Sequence, residues 1–385
     1  MSTNNQSAFL DGVGVALRVG DSPMPTPGPD QIVIRNHAVA INPIDYKMQA
    51  SGKFIRSYPI VLGQNVAGEV HDVGSNVSKF KAGDRVVGHP WGTMNGKLEQ
   101  GAFNLYSVVP ARNTAKVPDK ITLIEASVLP LPIDTAICGL FRQEYLALPW
   151  PSLTPIKTGK TIVVYGGSSS VGCMATQLAT AAGVRVITLA SKQNHELCRS
   201  GGATDVFDYH DADVVEKVVQ AVGSDKFIGI YDAIGEPSCY AHDLAILEKL
   251  GGGFLASVFP PPEELPENVK AKHVFGMGEW AFPVWDDFIT PALESRLLKC
   301  LPEPLVVGKG LESVQAGFDR LKDGDLPRSL ELYTLLGRSV TSSMTPTVRD
   351  GIPQTTKHFI ANQNVICSPA VPVNLSIRRC KLGSI

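Results

Sequence analysis

Thr161-Ile-Val-Val-Tyr165, followed by Gly166-Gly-Ser-Ser-Ser-Val-Gly172, reads as a buried strand that runs into a tight turn and opens a helix. The first five positions are rich in β-branched and apolar residues, as in a strand covered on both faces. Past the turn, apolar residues fall at 171, 174, 175, 178, 179 and 182. That spacing is one face of a helix, and Gly183 stands where a left-handed residue would close it. Such a turn leaves backbone N–H groups at the positive end of the helix dipole, where the pyrophosphate of a dinucleotide docks. Gly167, Ser168, Ser169, Ser170 and Val171 are therefore candidate cofactor contacts. Ser169 stands where the G-x-G-x-x-G fingerprint has its middle glycine.

The alternation continues outward: a strand at 184–190, a helix at 194–200 ending in Gly201-Gly202, and a strand at 205–209. A helix at 213–222, a strand at 227–234, a helix at 240–250 and a strand at 253–258 follow. Repeated βα units with right-handed crossovers give an α/β fold, a doubly wound parallel sheet of the Rossmann kind. Upstream the chain is β-rich, with segments at 31–39 and 68–73 and the turn-and-strand Lys81-Ala-Gly-Asp-Arg-Val-Val-Gly88. Short strands punctuated by glycine and proline suggest a compact, barrel-like unit. After Pro260-Pro-Pro the pattern is irregular until a helix at 311–321. From Ser339 the chain is rich in Ser, Thr, Pro and Asn with little periodicity, the composition of a poorly ordered tail.

The second strand of the α/β region indicates which dinucleotide to expect. NAD binders place Asp or Glu near its end, about twenty residues past the glycines, to hold the ribose hydroxyls. Here the strand ends Leu189-Ala-Ser-Lys-Gln-Asn194 with no acid. Ser191 and Lys192, with Gln193 and Asn194 beside them, can instead hydrogen-bond and neutralise a 2′-phosphate. The expected cofactor is NADPH.

The chain has 385 residues, enough for two domains, with 44% apolar and 19% charged residues. A net charge of −2 gives no basic field for nucleic acid. The first residues, MSTNNQSAFLDG, lack the basic-then-apolar form of a signal peptide, and no run of ~18 uncharged apolar residues stands out. The expectation is a cytoplasmic protein without a membrane partner. Seven cysteines are scattered with no C-x-x-C pair, so they read as buried apolar fillers rather than disulfide or metal ligands. His71 and His89 are isolated in sequence and carry no metal spacing.

Five further segments occur in order with the turn at 166–172 along residues 10–325: Ala40-Ile-Asn-Pro-Ile-Asp-Tyr-Lys47, Gly63-Gln-Asn-Val-Ala-Gly68, Gly83-Asp-Arg-Val86, Gly101-Ala-Phe103, and Leu131-Pro-Ile-Asp-Thr-Ala136 with Gly139-Leu140. As a set they resemble the medium-chain dehydrogenase/reductase superfamily. The nearest branches are the zinc-free quinone oxidoreductases and the fungal trans-acting enoyl reductases that serve polyketide synthases. The resemblance implies a Rossmann domain at 131–290 set inside a GroES-like catalytic domain at 1–130 and 291–330, with 331–385 an atypical tail. In zinc-dependent relatives a Cys and a Gly-His-Glu segment supply metal ligands. The matching places here read Asn42-Pro-Ile-Asp45 and Gly63-Gln-Asn65, and neither Asn nor Gln is a usual zinc ligand. No metal is expected.

Without a Lewis acid, alcohol oxidation lacks a group to lower the alcohol's pKa, whereas hydride addition to an electron-poor double bond needs mainly donors for the enolate oxygen and a proton for the α carbon. The implied reaction is NADPH-dependent reduction of an enone or enoyl thioester. The substrate would be a small molecule or a carrier-tethered acyl chain, with a polyketide synthase as partner. The resemblance puts Ile44, Asp45, Tyr46 and Lys47 against the cofactor. Lys47 is the first candidate for orienting the nicotinamide ribose or relaying a proton, and Tyr46 the second. An ordinary surface pair of Asp45 with Lys47 is the competing reading.

Ile133, Asp134, Thr135, Ala136, Ile137, Cys138, Gly139 and Leu140 match the segment that faces the substrate. Thr135 would bond the carboxamide or the substrate carbonyl, or else serve as a helix cap. Tyr209 matches a residue near the adenosine, Ser257 and Val258 match backbone contacts to the nicotinamide, and Val274, Phe275 and Gly276 would line an acyl pocket. Two other functions compete: oxidoreduction of free quinones or enones, and nucleotide binding without turnover. One departure stands out. Family chains return to the first domain with a final strand, but Asp323-Gly-Asp-Leu-Pro-Arg-Ser-Leu330 breaks that pattern. A missing strand would leave an unpaired sheet edge and cost stability.

Overall fold

The computed structural model of the chain describes residues 5–323 and the strand 331–335. Its parallel sheet runs, in spatial order, Asp205–Phe207, Arg185–Leu189, Lys160–Tyr165, Lys226–Asp232, Gly253–Ser257 and Val269–His273. Every pairing in it is parallel. The chain starts in the middle, builds outward to one edge, then crosses to the other side of Lys160–Tyr165. That reversal opens a crevice at the carboxyl ends of the central strands, the usual ligand position in such sheets. The last strand lies in the stretch that reads as irregular. Its Val-Lys-Ala-Lys-His alternation is a short edge strand with its lysines outward.

The glycine turn forms for reasons visible in single atoms. A Cβ at Gly167 would lie 2.7 Å from Thr188 Cβ, and one at Gly172 would collide with the carbonyl oxygen of Gly166. Ser169 has φ −71° and ψ 162°, ordinary extended backbone, and its hydroxyl accepts the Gly172 N–H at 3.0 Å. The middle position therefore needs no glycine and gains a helix N-cap instead. The helix Ser170–Ala181 closes at Gly183, φ 73°, with the Val184 N–H returning to Ala179 O at 3.1 Å.

The β-rich part holds two sheets. Arg18–Ser22, Asn5–Leu10 and Ile60–Val61 form the smaller one. The larger runs Pro304–Lys309, Glu331–Leu335, Gln31–Ile41, Asn65–Val73, Arg85–Gly88 and Thr114–Lys116, with Tyr106–Pro110 also on Gln31–Ile41. The expected gap at its edge is corrected here. Glu331–Leu335 fills it, parallel to Pro304–Lys309 and antiparallel to Gln31–Ile41, so the chain does return to this sheet and the expected unpaired edge is closed. Residues 336–385, the rest of the expected tail, lie outside the described residues.

Leu123–Phe141 is long and apolar enough to cross a bilayer, but 78% of it is buried inside the protein. It is two helices, Leu123–Ala126 and Pro130–Phe141, which pack into the core with Ile162, Leu178 and Trp285. Cys138, Cys173, Cys198 and Cys239 are buried free thiols and Cys300 is half-buried. Burial pushes the Cys198 thiol up to about 11, which keeps it an unreactive filler. Cys367 and Cys380 lie outside the described residues.

Candidate active site

A cavity of about 990 Å³ opens at the carboxyl ends of the parallel strands. One wall is the turn at Ser169, Ser170 and Val171, continued by Ala233, Ile234 and Val258. The opposite wall is the helix Pro43–Ser51. Pro43 starts that helix with φ already set, the Asp45 carboxylate accepts the Asn42 N–H at 2.8 Å, and Gly52 ends it at φ 70°. Ile44, Tyr46 and Lys47 line the cavity from this helix. Lys47 Nζ lies 4.1 Å from the centre of the Phe259 ring, a cation–π contact that carries the amine across to the nucleotide side. Val274, Phe275 and Gly276 form part of the apolar wall. Phe54 and Phe275 meet at 6.2 Å, both part-exposed.

Several expected contacts do not reach this space. Asp45 is fully buried, turned away from the cavity to cap its own helix, and burial raises its pKa from 3.8 to about 7. It lies outside the cavity lining and is not the exposed half of a surface pair. From the helix Pro130–Phe141 only Leu131 and Thr135, one turn apart, line the cavity. Ile133, Ala136, Ile137, Cys138 and Leu140 are core residues at 0% exposure. Gly139 serves packing, since a Cβ there would sit 3.0 Å from Val274 and closer still to the Tyr231 ring. Thr135 is inside the helix rather than a cap, its hydroxyl donating to Leu131 O at 2.7 Å. Ser257 is buried, with its hydroxyl 3.0 Å from the Tyr240 hydroxyl. The backbone of Val258 is engaged too: its N–H donates to Asp232 O, and its carbonyl accepts from His273 Nε2 at 3.2 Å.

Asp134 is the largest correction. It is fully buried and holds three donors: His89 Nδ1 at 2.6 Å, Asn113 Nδ2 at 2.8 Å and Trp285 Nε1 at 2.5 Å. Fully buried and outside the cavity lining, that carboxylate cannot meet a substrate. His89, at 0% exposure, turns its other ring nitrogen to Gln64 Oε1 at 3.4 Å. Gln64 itself lines the cavity floor with Asn42, Thr93 and Thr135. Of these floor residues Gln64 and Thr93 were not candidates from sequence.

The outer part of the nucleotide side lies beyond the cavity lining. Gly167 is buried and Ser168 half-buried in the turn. Ser191 accepts from Asn194 Nδ2 at 3.0 Å, and the Lys192 N–H donates to Asp208 Oδ2 at 3.0 Å. Lys192 and Gln193 are exposed, and the Lys192 ammonium has no ion-pair partner among the described residues. Tyr209 stacks on Tyr165 at 5.9 Å.

The pattern of the alcohol dehydrogenase GroES-like domain matches residues 28–119, and that of the zinc-binding dehydrogenases matches 170–279. Dehydrogenase orsE of Emericella nidulans is 50% identical over 335 residues, covering 83% of this chain and 96% of that protein. The chain belongs to the medium-chain dehydrogenase/reductase superfamily. Another member, trans-enoyl reductase himH of Aspergillus japonicus, is 40% identical over 315 residues, covering 80% of this chain and 91% of himH. Among solved members, the mycobacterial protein Rv1454c in complex with NADPH superposes with a TM-score of 0.64 at 27% identity, over 86% of this chain and all of that one. The names of these relatives support oxidoreductase activity, and the NADPH complex supports a nicotinamide nucleotide as cofactor.

Zinc, which the name of the second pattern implies, does not fit this member's donor set. Asn65 spends both ends of its amide on the backbone, donating to Ser127 O at 2.9 Å and accepting the Leu131 N–H at 3.0 Å. The Asn42 amide N–H points at Asn65. No group of three His, Cys, Asp or Glu side chains could hold a metal among the described residues. A nicotinamide nucleotide does fit. The turn has no Cβ at 166, 167 or 172, the helix N-terminus faces the cavity, and the exposed Lys192 follows the second strand.

Proposed function

We propose that this chain reduces an activated carbon–carbon double bond, an enone or enoyl thioester, with NADPH and without a metal at the reacting centre. The observation that carries the reading is the cavity itself. It joins the glycine turn to an apolar wall and a polar floor, and that floor is made of amides and hydroxyls rather than metal ligands. Bound NADPH would supply hydride to the substrate's β carbon, leaving the electron pair of the double bond on the carbonyl oxygen as an enolate until a proton reaches the α carbon. The chain's own groups do the rest. Ser169, Ser170 and Val171 orient the nucleotide through backbone N–H groups at the helix start. Lys47, braced on Phe259, holds a positive charge beside the reacting face and can move a proton from its ammonium. Val274, Phe275 and Phe54 exclude water from an acyl chain.

The name of the relative himH, a trans-enoyl reductase, supports an enoyl substrate, and delivery of that substrate on a carrier by a polyketide synthase is part of the proposal. Purified protein, NADPH and a panel of enones, enoyl thioesters and quinones test this by product analysis. The expected product is the saturated thioester or ketone, with turnover unchanged after dialysis against a chelator. Turnover of quinones alone, or activity lost to the chelator and restored by zinc, would contradict the proposal.

A further inference from the structure

An enolate oxygen forming in this cavity needs a hydrogen-bond donor, and most of the polar floor is already committed. Thr135 donates its hydroxyl hydrogen to Leu131 O, and Asn42 points its amide nitrogen at Asn65. Gln64 differs. It is 3% exposed, lines the cavity, and is held from the far side by a buried chain of groups. Trp285 and Asn113 fix the Asp134 carboxylate, Asp134 accepts from His89 Nδ1, and the ring thus oriented sets Nε2 against Gln64 Oε1. An amide whose oxygen faces His89 turns its nitrogen, with two hydrogens, the other way. On that side lie the cavity and the Asp45 carboxyl. One of those hydrogens faces the Asp45 carboxyl, and the second is left for the cavity.

We infer that Gln64 donates a side-chain N–H to the carbonyl oxygen of the substrate, and that His89 and Asp134 are positioning residues that fix the amide in this orientation. The inference rests on the double-bond reduction proposed above. It assigns the electrophile's role, filled in zinc-dependent enzymes by the metal, to a neutral amide aimed where negative charge develops. The hydrogen bond strengthens as the oxygen becomes an enolate, and no covalent bond to Gln64 forms or breaks. The orientation requires hydrogen on both ring nitrogens of His89, so that Nδ1 donates to Asp134 and Nε2 donates to Gln64 Oε1.

Gln64→Met, close in volume but without the amide, is the direct test. With an enone as substrate, kcat/KM is expected to fall about 100-fold, the scale of losing one oxyanion donor, while the NADPH dissociation constant stays within twofold. Binding of 4-nitrophenol, whose phenolate oxygen mimics an enolate, gives a readout independent of turnover. The wild type is expected to bind it as the phenolate with a shifted absorption band, and the variant to lose that band. His89→Leu is expected to lower kcat in the wild type but to add nothing in the Gln64→Met background, because coupled residues are not additive. A purely packing role would lower both alike. Nitrogen-15 NMR of His89 is expected to show two protonated ring nitrogens, and it keeps the test open if His89→Leu does not fold.

A Gln64→Met enzyme within threefold of wild type, an unchanged phenolate band, additive losses, or an unprotonated Nε2 would each overturn the inference. A wild type that does not oxidise NADPH with any enone would overturn the proposed function instead, and the phenolate and NMR arms would still decide the role of Gln64.

Discussion

The two faces of the cavity are built on different principles. The nucleotide face is made of backbone: a strand, a turn that has room for no Cβ at Gly167 and Gly172, and a helix whose first N–H groups point outward. The floor opposite is made of side chains drawn from separate segments, Asn42, Gln64, Thr93 and Thr135, and Gln64 is backed by the buried His89, Asn113, Asp134 and Trp285. A backbone site is written in a short stretch of sequence and tolerates a serine at 169. A side-chain network depends on every partner at once, and each loss leaves a buried polar group unsatisfied.

Breaking the nucleotide face calls for a side chain where none fits. Gly172→Val is expected to have the largest effect, because its Cβ would meet the Gly166 carbonyl and the turn would have to open. A loss of stability above about 5 kcal/mol is expected in urea unfolding, together with loss of NADPH binding. Breaking the floor calls for removing its anchor. Asp134→Ala strands His89, Asn113 and Trp285 without their acceptor. It is expected to cost about 3–5 kcal/mol in the same assay, as when one partner of a buried pair is removed.

Asp45 sharpens the contrast through pH. Its folded pKa is raised, to about 7 against an ordinary 3.8, so the native state holds the proton more tightly than the unfolded chain does. The resulting stability is fully present below about pH 4 and is lost as pH rises through about 7. The slope is at most about 1.4 kcal/mol per pH unit. Asp45→Asn keeps a side-chain acceptor for the Asn42 N–H and removes the titration. Urea midpoints measured from pH 4 to pH 8 are expected to gain on wild type as pH rises. A difference independent of pH would mean that Asp45 is not buried as the proton-bearing form.

These differences also explain what could be read in advance. The alternating strands and helices of the parallel sheet, the glycine turn and its closing Gly183 follow from local periodicity and steric limits, and they stand in the structure. The strand Val269–His273 was legible only as a brief alternation of Val, Lys and Ala, too short to separate from a loop. The return strand Glu331–Leu335 was hidden because its approach, at 323–330, departs from the familiar turn. The substrate segment misled for a physical reason. Residues 133–140 are contiguous, but on a helix only Leu131 and Thr135 share the cavity face, while Asp134 points into the core. His89 looked isolated because its partners are 25 and 45 residues away.

The nucleotide preference is the central claim, and Lys192 is where it can be measured most directly. Calorimetric titration of wild type and Lys192→Ala with NADPH and with NADH separates the phosphate contact from everything else. The account requires the wild type to bind NADPH more tightly than NADH. Lys192→Ala should weaken NADPH by about 10-fold or more, the scale of a charged hydrogen bond, and leave NADH nearly unchanged. Equal losses for both nucleotides, or a wild type that prefers NADH, would contradict it.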